Sequence, residues 1–100
     1  MNHEDANNID FNRIQKCEAT RDMCIAVRQL GLWDFIRDFE DDQRGFMYST
    51  NPDVHKIGTH PLVDRHGHSG TSFGICCRNV QYIAKNGLDA WCARFENPAH

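Results

Sequence analysis

Nowhere in this chain does an apolar run approach the roughly eighteen residues that a membrane-spanning helix needs. Lysine is scarce, with three in 100 residues, and no basic cluster stands out. Phosphate neutralisation needs massed Lys and Arg, so a broad nucleic-acid-binding face is disfavoured. The net charge of −3 is also too small for an acidic mimic of DNA. Cysteine pairs of the C-x-x-C type are missing. The five cysteines, Cys17, Cys24, Cys76, Cys77 and Cys92, are odd in number and fall in segments of helical pattern. A disulfide framework is therefore not expected, and the thiols read as reduced core residues of an intracellular protein. The leading MNHEDANN lacks the basic-then-apolar order of a signal peptide, which makes the cytoplasm the expected location. G-x-S-x-G, H-E-x-x-H and GxxxxGK are missing as well. No catalytic residue, resident metal or cofactor is expected.

What is present is the composition of an ordinary folding chain, 40% hydrophobic and 25% charged. Its length suits a single domain over 1–100. Asp10 has the character of an N-cap, with Ile9 before it and Ile14 inside, the spacing of a hydrophobic staple. A helix is predicted from there, with Cys17, Thr20, Met23, Cys24, Val27 and Leu30 forming a stripe of helical period. Gly31 stands where a left-handed C′ residue would, and Leu32, Phe35, Ile36 and Phe39 continue on one side of a short second helix. Arg21 and Arg28, seven apart, share one face of the first helix with Glu18, which reads as a solvated side, with a small basic site as the alternative. The acidic run DFEDD, with Asp34 before it, reads as a solvated helix end.

The C-terminal third repeats this plan. Phe73, Cys76, Cys77, Val80, Ile83 and Ala84 form a stripe ending at Gly87. AVRQLGLWDFIRDF, from Ala26, lies in register with YIAKNGLDAWCARF, from Tyr82, so that Gly31, Leu32, Phe35 and Phe39 match Gly87, Leu88, Trp91 and Phe95. The shared glycine cap explains the likeness without a duplication. The expected fold is all-α: a small bundle of two helix–glycine–short-helix units, 10–40 and 71–96, with an ordered connector over 45–70. The connector carries Phe46, Met47, Tyr48, Val54, Ile57, Leu62 and Val63, enough apolar surface to lie against the helices. A connector this long in a small domain is usually functional or disordered. NPDV and THPLV read as turns or short extended pieces, because residues before proline avoid the helical region. That leaves room for a small hairpin between Val54 and Val63.

The segment RHGHSGTS, Arg65 to Ser72, concentrates the chemistry. His55, His60, His66 and His68, with Asp53 and Asp64, include ligand types that zinc accepts, but their spacing matches no zinc signature. A helix starting near Thr71 would present the amides of Ser69, Gly70, Thr71 and Ser72 at its positive end, with Arg65, His66 and His68 around them. Those seven residues are the candidate ligand-binding set, suited to a phosphate, nucleotide or carboxylate. An ordinary N-cap at Ser69 or Thr71 explains the same letters. His68 and Ser69 give half of a two-histidine phosphoesterase motif whose second copy is missing. Cys76 or Cys77 near His68 would give a thiol–imidazole pair, weakened by the burial that the stripe implies.

Taken together these features favour a small non-catalytic binding protein that modulates another macromolecule, of the kind that phages and mobile elements use as accessory inhibitors of a host system. The expected partner is a host or viral protein. An anionic nucleotide at 65–72 is the competing ligand, in a pocket that a second subunit would complete as a homo-oligomer. A zinc-dependent module using His66 and His68 is the third reading.

Overall fold

The computed structural model describes the backbone of residues 9–14, 17–40, 45–67 and 70–96, and their side chains except at 70–72 and 95–96. Six α-helices run through these residues: α1 (Glu18–Gln29), α2 (Trp33–Asp38), α3 (His55–Thr59), α4 (Pro61–Asp64), α5 (Gly70–Asn86) and α6 (Leu88–Glu96). Single 3₁₀ turns lie at Phe11–Arg13, Phe46–Tyr48 and Pro52–Val54, and no strand occurs among the described residues. The fold is all-α. No helix among them is long and apolar enough to cross a membrane.

Helix α1 buries Thr20, Met23, Cys24 and Val27, the apolar stripe, while Cys17 and Leu30 are half-buried. It also buries Asp22 and Ala26, which lie four apart on the opposite side. The helix is therefore enclosed twice, by α5 on the stripe side and by α4 on the other. Its end is a Schellman turn. Gly31 sits at φ +73°, its amide donates to the Arg28 carbonyl at 3.0 Å, and the Leu32 amide donates to Val27 at 3.0 Å. Helix α5 ends differently, with Gly87 at φ +95° and one amide bond to Ile83 at 2.8 Å, the simpler left-handed cap. Leu32 and Leu88, matched in the two halves, are both 7% exposed. The two helix–glycine–helix units pack on each other as the sequence predicts, with both α1 and α2 lying against α5.

Two local expectations are corrected. Asp10 does cap, accepting from the Asn12 amide at 3.0 Å, but it opens only the 3₁₀ turn Phe11–Arg13. Ile14 leaves the helical region at ψ 76°, and α1 begins afresh at Glu18. The break carries the Phe11 ring to 5.6 Å from Trp33 and buries Ile14 completely. Tertiary packing has overridden a favourable local start.

The hairpin between Val54 and Val63 does not form; that stretch is α3 and α4. The residues before proline are extended as expected, Asn51 at ψ 117° and His60 at ψ 136°. Each proline, however, then occupies the first helical position, where its fixed φ and missing amide cost nothing. Asn51 caps the Asp53 amide at 3.0 Å, and His60 caps Leu62 at 3.2 Å through Nδ1. Phe46, Val54, Ile57 and Val63 bury the connector against the long helices, although Tyr48 stays 63% exposed.

Candidate functional site

Of the seven residues expected at an anion site, His68 and Ser69 lie outside the described residues. Gly70, Thr71 and Ser72 form the first turn of α5, as the sequence predicts, and their side chains are outside the description. Arg65 and His66 follow α4 and turn back onto α1. The pocket beside them, lined by His66, Gly67, Phe73 and Cys76 among others, has a volume of about 40 Å³. At roughly 10–15 Å³ per water, that accommodates a few waters and no nucleotide.

The centre of this cluster is Asp22, whose side chain is 3% exposed. Its Oδ2 accepts from Arg65 Nη2 at 2.5 Å and His66 Nε2 at 2.6 Å, and its Oδ1 accepts from Arg21 Nε at 3.3 Å. Glu18 Oε1 accepts from Arg21 at 3.2 Å and Arg65 at 3.3 Å. Because Nε2 of His66 donates to the carboxylate, the Arg65 Nε lying 3.3 Å from it is a neighbour, not a second bond to that nitrogen. Burial alone would raise the Asp22 pKa. Hydrogen bonds from His66 and Arg65, the Arg65 charge and the Arg21 bond outweigh it and hold the carboxyl below its usual 3.8. The cluster ties the turn after α4 to the buried side of α1. Arg28, expected beside Arg21 on a solvated face, instead lies 5.7 Å over the Trp33 ring.

The connector histidines go to different tasks. His60 uses both ring nitrogens, Nδ1 for the α4 cap and Nε2 toward Gln29 Oε1 at 2.9 Å. His66 serves Asp22. His55 lines a pocket described below. No group of three His, Cys, Asp or Glu that would hold a metal converges among the described residues.

No disulfide joins any of the described cysteines. Burial pushes the Cys77 thiol up to about 12, drives Cys24 still higher, and raises half-buried Cys76 despite a hydrogen bond with Thr20. Nucleophilic attack needs the thiolate, so these thiols are poor nucleophiles at neutral pH. In the native protein at mildly alkaline pH, Cys24 and Cys77 are expected to react with Ellman's reagent on the order of a hundredfold more slowly than after unfolding. Mass spectrometry of the modified peptides checks this; equal native and denatured rates would contradict the burial.

A larger pocket lies elsewhere, between the connector and α5, with a volume of about 320 Å³. Phe46, Met47, Val54, Ile57 and Phe73 form apolar walls, and His55, Thr59 and Asp64 supply the polar groups. A few polar groups converging on an apolar concavity is the usual make-up of a binding site. The sequence marks the connector as functional by its length, but not this pocket. Phe46 and Phe73 stand twenty-seven positions apart in the chain, and only packing brings them together.

Comparison with models of protein families, with curated proteins and with solved structures found no match.

Proposed function

We propose that this chain is a small non-catalytic binding protein that modulates another macromolecule, and that it works through the pocket between the connector and α5. The observation that carries this reading is the pocket itself: about 320 Å³, walled by apolar side chains, with His55, Thr59 and Asp64 among its lining. Support comes also from where the reactive groups are spent. Asp22, His66 and Arg65 hold one another, and the thiols of Cys24 and Cys77 are buried. The concrete form we favour is an accessory inhibitor from a phage or mobile element, docking on a host protein.

The anionic-ligand reading has less support. Arg65, its main cation, already faces two carboxylates, Glu18 and Asp22, whose charge would repel an approaching anion.

A benzophenone crosslinker at His55 tests the proposal against one placed at an exposed apolar residue away from the pocket, Ile75 on α5, which is 53% exposed. The expected result is one defined crosslinked protein from His55, lost when Thr59→Trp fills the pocket. Crosslinking from Ile75 alone, or crosslinking indifferent to Thr59→Trp, would overturn it.

A further inference from the structure

We propose that Cys17 and Cys76 are a reversible redox pair, which exchange with a small-molecule disulfide closes into a bond that staples the start of α1 to α5. The inference stands apart from the pocket between the connector and α5.

Exposure selects the two residues. Of the five thiols, those of Cys24, Cys77 and Cys92 are buried, while Cys17 and Cys76 are half-buried and so within reach of a reagent in water. Position then brings the pair together. Cys17 is the N-cap residue of α1 but makes no side-chain cap bond, so its sulfur has no duty in starting the helix. Thr20 follows three residues later, one turn along the same side. Helix α5 packs along this side of α1. Asn79 Nδ2 donates to Thr20 Oγ1 at 3.4 Å, and Cys76, one turn before Asn79, is hydrogen-bonded to the same Thr20 side chain. Cys76 therefore meets α1 at the level of Thr20, a single turn from Cys17.

The electrostatics agree with this placement. Burial raises the Cys76 thiol, the Thr20 bond lowers it, and charge on Cys17 raises it again, a repulsion that needs the two sulfurs near each other. The alternative partner on α1, Cys24, lies on the far side of Thr20 and is 0% exposed, closed to any incoming reagent.

The chemistry is two successive exchanges with a disulfide such as oxidised glutathione. The Cys17 thiolate, its proton given to water, attacks one glutathione sulfur; the glutathione S–S bond breaks and the first glutathione leaves as a thiolate. The Cys76 thiolate then attacks the Cys17 sulfur of the mixed disulfide and releases the second glutathione. Two protein thiols are oxidised, one glutathione disulfide is reduced, and the two leaving thiolates take up the two protons. Holding Cys76 beside Cys17 makes the second step intramolecular, which offsets the small thiolate fraction that burial leaves it.

The test is to incubate the reduced full chain with oxidised glutathione, block remaining thiols with N-ethylmaleimide, and map tryptic peptides by mass spectrometry without reduction. Arg21 separates Cys17 from Cys24, and variants separate Cys76 from its neighbour Cys77. The native chain is expected to yield one internal link, from the Cys17 peptide to the peptide holding Cys76, and excess reduced glutathione should reopen it. Cys76→Ser should remove the link and leave glutathione on Cys17 at least about tenfold above the native level, because the thiol that displaces it is gone. Cys17→Ser should leave the helices unlinked. A link that survives Cys76→Ser, a native chain that keeps glutathione on Cys17 without closing, or bonds only between two copies of the chain would each overturn the proposal. The mapping of the native chain needs no variant, so a misfolded serine variant does not shield the idea.

Discussion

Replacing Phe46 by alanine is expected to destabilise the protein by about 3–5 kcal/mol, the range for deleting a fully buried aromatic side chain. Phe46 is 1% exposed, sits in a 3₁₀ turn packed against α5, and forms one wall of the pocket. Small domains have a total stability of about 5–15 kcal/mol, so the variant would lose a large part of it. Tyr48, two residues on and 63% exposed, is the internal control; Tyr48→Ala should shift stability by less than about 0.5 kcal/mol. Urea denaturation of both variants measures the difference. A Phe46→Ala loss below about 1 kcal/mol would mean that the connector does not pack on the helices as described.

The second large effect belongs to Asp22. Asp22→Asn keeps the volume but removes the charge that Arg65, His66 and Arg21 converge on. Breaking a fully buried pair costs about 3–5 kcal/mol; because Arg65 is about half exposed and can swing into water, about 2 kcal/mol is expected at neutral pH. The pH dependence follows from the sign of the shift. A carboxyl held below 3.8 in the folded state stabilises fully above that value and loses the contribution as pH falls through its lower folded pKa. The stability gap between the native protein and Asp22→Asn should thus be flat near neutrality and close below about pH 4. A gap that stays constant down to about pH 2 would refute the depressed carboxyl.

These two residues also mark where sequence reading succeeds and fails. Phe46 was legible as an apolar residue of a connector too greasy to be disordered, although nothing local said what it would touch. Asp22 was not legible at all, since an acid on the polar side of an amphipathic helix is ordinarily solvated. It is buried only because α4 covers the side of α1 that the apolar stripe leaves open. The prolines misled for a related reason. Asn51 and His60 obey the extended preference before proline, but the same geometry is a helix start when the preceding side chain can cap, and both do. Capping by histidine is uncommon enough that THPLV carries little signal for it.

By itself the sequence determined the helical class, the apolar stripes of α1 and α5, and the left-handed turns at Gly31 and Gly87, because each depends on periodicity or backbone freedom within a few residues. Only the tertiary structure decided that Arg65 and His66 turn toward α1, that the connector is two short helices, and that Phe46 and Phe73 enclose a pocket with His55 and Asp64. Those outcomes are contacts between groups distant along the chain. Their free energy comes from desolvation and charge pairing that exist only once the helices have packed.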